Sequence, residues 1–405
     1  MSGPLEGIRV IDCGVFQAGT TAGVILADLG ADVIKVEPRI SGEPGRGAEI
    51  FSRATSRIRS GTAQFEIWNR NKRSMTLDLT KEKGREVFYR LVKIADVVLN
   101  NWRMGVAERL KVDYETVRQY NSKIIYGHIS GWGTKGREST EPALDFAVLA
   151  RSGMTYQVGK PGDPPLIFVS GYADTTAGIM LAQGILAALV LRERRQMGQK
   201  VEVSILGSMV AGLQRLPVNA RAQSGEEMPR RDRADMGNPL WNYYQCSDAK
   251  WIALSMLTAD VYWSSFCEAL GIRELENDPR FMNIDVRSQA ENSKELIRIL
   301  DKIFATKPQR EWLSILGKHK LIYGPVQTIS DLLTDPQVLE NQYIMDYDHP
   351  IYGPIKTVGF PWSFSHTEPG IRMPAPQLGQ HTEEILLEIG YSWDDIGNLK
   401  EEEVI

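Results

Sequence analysis

The sequence predicts an α/β protein built of two domains. Residues 8–12 (IRVID), the helical run AGVILADLG and residues 31–37 (ADVIKVE) give strand, helix, strand within about 30 residues, a right-handed βαβ unit. At 405 residues the chain is also too long for one ordinary core. Finally, GEEMPRRDRADMGNPL, residues 225–240, is irregular and bears Pro and Gly, as a domain boundary does.

The turn after the first strand, CGVFQAGTT, holds only Gly14 and Gly19. It lacks the G-x-G-x-x-G spacing that lets a pyrophosphate approach the backbone. Although Glu37 closes the second strand, neither a nicotinamide nor a flavin cofactor is expected. Residues 40–67 are rich in Gly, Ser and Arg and read as a long functional loop. Lys72 and Arg73 then read as loop residues that introduce a strand, MTLDL. Residues 81–94 form an amphipathic helix, and 95–100 a strand ending in Asn101-Trp102-Arg103. A strand at 123–129 leads into the turn Ser130-Gly131-Trp132-Gly133, and 200–204 is one more strand. Residues 206–223 look helical. A hairpin is expected over 241–256 with its turn at Ser247-Asp248-Ala249-Lys250, followed by helices from 259 to about 316. Strands and loops follow from about 340, then a helix over 382–389.

The stretch that organises the chain is Tyr172-Ala173-Asp174-Thr175-Thr176-Ala177-Gly178 with the apolar run behind it. Asp174 stands where a helix begins, and Asp is a favoured N-cap because its carboxylate accepts a first-turn N–H. The run is apolar on nearly every face, as a helix buried inside a domain is. Residues 176–191 fall short of a bilayer span and include Gln183, so core is expected rather than membrane. The positive end of the helix favours an ionised Asp174. Such a carboxylate is either a plain cap or, if shielded from water, a nucleophile.

Composition narrows the class. A hydrophobic share of 42%, a charged share of 24% and a net charge of −4 describe a globular chain with no reason to bind nucleic acid or an anionic membrane. Three cysteines without short spacing and no His/Cys cluster give neither a disulfide framework nor a metal site. The N-terminus has no basic-then-apolar leader, and the protein reads as cytoplasmic. Ligands of open α/β sheets gather at the carboxyl ends of the strands. Gln17, Ala18, residues 37–39, residues 101–103 and Trp132 stand there, with Lys72 and Arg73 on their loop. These cations, amides and rings suit a phosphorylated, adenine-bearing ligand.

In this order, GIRVIDCGVFQAGTTAGVILADLGADVIKVEP, NRNKRSMTLDL, ADVVLNNWR, ISGWG, YADTTAG, GILAALVLRERRQMGQKVEVS and LGQHTEEIL resemble the family III CoA-transferases, of the formyl-CoA transferase and carnitine CoA-transferase type. The resemblance covers nearly the whole chain. It implies an α/β fold with a Rossmann-like large domain (1–195 and 345–405), an inserted smaller α+β domain (226–325) and linkers at 196–225 and 326–344. It further implies an interlocked homodimer. The implied reaction moves CoA from an acyl-CoA thioester to a free carboxylic acid, with Asp174 as nucleophile and coenzyme A as part of the substrates, not a permanently bound cofactor. CoA contacts carried over by motif are Gln17, Ala18, Arg39, Lys72, Asn101, Trp102 and Arg109, with Trp132 near the acyl pocket and Gln17 a possible oxyanion donor. The segment MGNPLWNYYQ has one glycine where the formyl-CoA branch has a glycine-rich mobile loop, so larger acids are the better expectation (2-hydroxy, aryl or carnitine-like). Two alternatives remain. An α-methylacyl-CoA racemase needs a second acid/base facing Asp174, yet its Gly-His-Asp segment is Ala143-Leu144-Asp145 here, leaving only His128 to substitute. A non-catalytic CoA-binding subunit would have no need of Asp174.

Overall fold

The computed structural model describes residues 3–47, 63–168 and 171–405. Most of the expected loop at 40–67 therefore lies outside the described residues. Six parallel strands form the main sheet: β1 (Arg9–Cys13), β2 (Asp32–Glu37), β3 (Lys72–Thr76), β4 (Val97–Asn100), β5 (Ile125–Ser130) and β6 (Gln199–Ser204). Their order is β3-β2-β1-β4-β5-β6, so the strand order reverses between β1 and β4. Alternate residues serve opposite faces, as in any strand covered on both sides. Val10, Val33, Leu99 and Ile125 join the core beneath α1 (Ala18–Asp28), whereas Ile11, Ile34, Val98 and Tyr126 join the core on the other face. The second core includes Val87, Phe88 and Leu91 of the amphipathic helix α3 (Glu82–Ile94), which follows α2 (Ala63–Asn69).

Strand β3 begins three residues before the expected MTLDL, at Lys72 itself. Lys72 and Arg73 are therefore not loop residues. The Lys72 ammonium is wholly buried, 2.7 Å from Asp12 Oδ2, and it also donates to Asn69 Oδ1 at 3.0 Å and the Thr20 carbonyl at 3.1 Å. Arg73 pairs with Asp32 and Glu388. Loop-like residue types entered a strand because carboxylates distant in sequence wait for them. The outer edge of β3 is closed by the chain around residue 381: the Ser74 N–H donates to His381 Nδ1, and the His381 N–H to the Ser74 carbonyl. Covering an edge in this way leaves no open ladder for another chain.

After the short α4 (Val106–Arg109) and α5 (Asp145–Arg151) comes the long α6 (Tyr172–Arg195). Ala173, Ala177, Leu181, Ile185 and Ala188 of α6 pack into the core shared with α1. The contact with α1 is close at Gly178, where a Cβ would stand 2.5 Å from Thr21 Cβ. With 24 residues and a mean hydropathy of 1.6 over its best 18-residue window, α6 is long and apolar enough to cross a membrane by length and composition, contrary to the shorter segment expected. Its packed stripe makes it a core helix of this unit.

By contact the chain divides into two units. The first is Met1–Thr155, Ile167–Glu226 and Gln342–Ile405; the second is Tyr156–Leu166 and Glu227–Asn341. Residues 199–204, read as a strand from the residues but placed in a linker by the family-derived bounds, belong to the main sheet because β6 pairs with β5. Residues 156–166 join the second unit through Arg230, which lies over the Tyr156 ring and donates to the carbonyls of Val158 and Pro164. That unit carries an antiparallel sheet of β7 (Trp241–Gln245), β8 (Trp251–Ser255) and β9 (Tyr323–Val326). Its core contains the ring cluster Tyr244, Phe304 and Trp312.

Candidate active site

The turn that follows β1 is held by side chains rather than by its own backbone. The Gly14 N–H donates to Asp12 Oδ1 at 2.7 Å, Val15 N–H to Asn101 Oδ1 at 2.8 Å and Phe16 N–H to Glu43 Oε2 at 2.8 Å. Lys35 Nζ donates to the Gly14 carbonyl at 2.9 Å, and Asn101 Nδ2 to the Val15 carbonyl at 3.0 Å. Phe16 adopts φ +52°, an unusual conformation for a non-glycine residue, which this network holds. The result aims Gln17 at the first turn of α6. Gln17 Nε2 donates to the Gly171 carbonyl at 3.1 Å and to Thr175 Oγ1 at 2.8 Å. Only glycine fits at 171, since φ is +87° and a Cβ would lie 2.0 Å from Gln17 Oε1.

Asp174 is the third residue of α6 and is not its cap. Gly171 occupies the cap position, and the carboxylate that caps the helix comes from Asp145 at the start of α5. Asp145 accepts from the N–H groups of Gly171 at 3.0 Å, Ala173 at 2.7 Å and Asp174 at 3.1 Å. The expectation that the helix terminus would favour an ionised Asp174 is overturned as well. Burial first, then the negative charge of Asp145, push the Asp174 pKa up to about 7.

On the other face of the sheet a cavity of about 550 Å³ opens at the carboxyl ends of the strands. Cys13, Val15, Val36, Leu77 and Trp102 wall it, and Arg39 and Lys81 supply its cations. Arg39 pairs with Glu403 at 3.1 Å, and Lys81 Nζ donates to the carbonyls of Glu402 and Glu403. Burial pushes the Cys13 thiol far up, so it is no nucleophile. Glu37, the tempting ribose-binding acid, is consumed internally. Burial alone would raise its pKa; the hydrogen bonds from Arg46, with the charge of Lys35, outweigh that and hold it below the ordinary range.

Val15, which sequence did not single out, links two groups of the residues that sequence did. Trp102 and Arg39 line the cavity, and Asn101 and Gln17 brace the turn between cavity and α6. Ala18 is buried as the first residue of α1. Lys72 is not an open cation, because three acceptors take its ammonium and burial lowers its pKa to about 8 against the pull of Asp12. Both hydrogens of the Gln17 amide are engaged, so it serves here as a brace. Arg109 is exposed at the end of α4 and makes no ion pair among the described residues. Trp132 packs against the α6 core, donates to the Pro142 carbonyl at 3.2 Å and lies under Arg151.

His128 is on the face of β5 away from α6, in line with Tyr126. Its Nδ1 is 2.9 Å from Asn100 Oδ1, and burial lowers its pKa to about 4. It cannot face Asp174 across a substrate, and Leu144 carries no exchangeable proton. Sequence reasoning missed Lys81, Glu403 and the capping role of Asp145. The first two are ordinary surface types; the third was visible only as an acid at a helix start. Among the described residues no group of His, Cys, Asp and Glu has the makings of a metal site.

The profile of CoA-transferase family III matches residues 5–382. The chain belongs to CoA-transferase family III. It is 30% identical to the (R)-2-hydroxy-4-methylpentanoate CoA-transferase of Clostridioides difficile over 99% of both chains. It is also 30% identical to the cinnamoyl-CoA:phenyllactate CoA-transferase of Clostridium sporogenes, over 99% of this chain and 97% of that one. A CAIB/BAIF family protein from Brucella suis superposes with a TM-score of 0.83 at 28% identity, covering 96% of this chain and 100% of that structure. The protein is thus an enzyme that moves CoA between an acyl-CoA thioester and a carboxylic acid.

The raised pKa of Asp174 has a stability consequence. The carboxyl titrates at about 3.8 when unfolded and about 7 when folded, so between these values the native state holds the extra proton. Stability contributed by the protonated form is present below about pH 4 and lost as pH rises through about 7. Asp174→Asn, which mimics the neutral acid, is expected to melt about 1–4 °C above the parent at pH 8 and level with it at pH 4, as followed by calorimetry.

Proposed function

We propose that Asp174 is the nucleophile of the transfer. The observation that carries this is a half-buried carboxylate with a pKa near 7, relieved of capping duty and braced through Gln17 to the turn that walls the cavity. An Asp174 oxygen attacks the donor thioester carbonyl, the C–S bond breaks, and a mixed anhydride and CoA thiolate result. The thiolate attacks the Asp174 carbonyl carbon, releasing the donor acid and leaving an aspartyl-CoA thioester. The acceptor carboxylate attacks that thioester, giving a second anhydride and thiolate. Attack of the thiolate on the acceptor's acyl carbon forms the new acyl-CoA and restores the Asp174 carboxylate. Every intermediate stays activated, so thioester energy is conserved provided water is excluded.

Supplying an acyl-CoA and a labelled acid tests this. Asp174→Ala should lose at least about 10³-fold in transfer, and hydroxylamine added during turnover should convert Asp174 to a hydroxamate detectable by mass spectrometry. Full transfer by the alanine variant would end the reading, and racemisation without an acceptor acid would install the isomerase in its place.

The CoA nucleotide is assigned to the 550 Å³ cavity, with Trp102 against its adenine and Arg39 and Lys81 toward its phosphates. Arg39→Gln should raise the KM for acyl-CoA about 3- to 10-fold with kcat nearly unchanged. Lys72→Met should act on the fold instead. It strands Asp12 and costs about 3–5 kcal/mol in urea denaturation.

The acceptor is assigned to acids larger than formate, in keeping with the acids named for the two relatives above. A homodimer is supported by apolar residues that the first unit leaves in water, among them Ile179 and Val190 of α6 and Leu216 and Val218 beyond it. Light scattering should give the mass of two chains at micromolar concentration; a single-chain mass would exclude that assembly.

A further inference from the structure

We infer that Asp145 is a positioning residue for the transfer reaction: by taking the free N–H groups at the start of α6 into its own carboxylate, it leaves the Asp174 carboxylate unpaired and ready to attack. The inference rests on Asp174 being the nucleophile. The first turn of a helix offers N–H groups without intrahelical acceptors, and a carboxylate in that turn would ordinarily draw on them and on the positive end of the dipole. Here three of the N–H groups point to Asp145, which is 8% exposed, and one of the three is the N–H of Asp174 itself. The Asp174 side chain accepts no hydrogen bond among the described residues. Gln17 Nε2, aimed at the same turn of α6, is spent on Gly171 and Thr175.

Two consequences follow for the chemistry. An oxygen that accepts no hydrogen bond keeps its electron pair available, whereas a capping carboxylate would have to give up its donors before attacking. Acylation also removes the charge on Asp174. The repulsion between the two carboxylates is thus present in the free enzyme and absent from the anhydride and the aspartyl-CoA thioester, which favours the covalent states. Asp145 is not acylated, because its oxygens are held by three donors.

Among the described residues no other charge serves this purpose. From α1 the residues facing the start of α6 are Gln17 and Thr21, both neutral. From β5, His128 faces the opposite side, and Lys200 and Glu202 of β6 pair with each other at 2.7 Å and act on His128. Residues 205–208, which also pack on α6, include no titratable group. Arg151 at the far end of α5 is paired with Glu138.

The test is Asp145→Asn, which keeps the size and one acceptor oxygen but removes the charge. In the parent, the acid limb of kcat/KM for acyl-CoA is expected near pH 7. In the variant the limb should move to lower pH and kcat at pH 8 should fall roughly tenfold. An unmoved limb, or an unchanged kcat at pH 8, in a folded variant overturns the inference. Should Asp145→Asn not fold, Asp145→Glu decides: it keeps the charge but displaces it from the three N–H groups, so a lower kcat at pH 8 supports the inference and an unchanged one overturns it. Transfer that survives Asp174→Ala would instead remove the underlying assignment of the nucleophile, a separate outcome.

Discussion

The Lys72 ammonium sits where no water reaches it, against a carboxylate of Asp12 that is equally buried. An isolated charge at that depth would be strongly unfavourable; paired and given two further acceptors, it is tolerated. The pair spans from the edge strand to the end of β1. There the other Asp12 oxygen fixes the Gly14 N–H, and so the turn that carries Val15, Phe16 and Gln17. Gln17 in turn fixes Gly171 and Thr175 on either side of Asp174. The position of the Asp174 carboxylate is therefore referred back, step by step, to one internal ion pair.

The molecule sorts its buried carboxylates by what surrounds them. Asp12 has a lysine, Glu37 has Arg46 and Ser74, and Asp145 has three backbone N–H groups. Among the described residues Asp174 has none of these, and it faces a like charge. Reactivity in such a site is a matter of what has been withheld: a carboxylate paired as its neighbours are would be a stable anion and a poor nucleophile. The stability given up at Asp174 is supported by the cores on both faces of the sheet.

The sheet was legible in the sequence because its strands are apolar runs punctuated by glycine and polar turns, a local signal. Five of the six strands were found within a residue or two of their bounds. The third was displaced because Lys72 and Arg73 look like loop residues until Asp12 and Asp32 are brought beside them, 60 and 41 positions away. The same limit explains Asp174. A carboxylate at a helix start is a cap by local rules, and only the fold reveals that Asp145, 29 residues earlier, already holds that place. The cavity was legible in part: Arg39 and Trp102 stand at strand ends, but Glu403 and Lys81 reach it through contacts that no periodicity encodes.

The strand order also accounts for what the first turn lacks. In a dinucleotide-binding sheet of this order, glycines leave the turn's N–H groups open toward the pyrophosphate at the switch point between β1 and β4. Here the N–H groups of Gly14, Val15 and Phe16 are already bound to Asp12, Asn101 and Glu43. The turn is a finished wall and has no anion hole to offer. A phosphorylated ligand in the cavity must find its cations at the rim, where Arg39 and Lys81 are. On the proposed reading, a thioester arm anchored there would cross the turn toward the opposite face, where α6 begins. Closing the backbone to phosphate is thus consistent with the proposed division of one βαβ crevice into a nucleotide side and an acyl-transfer side.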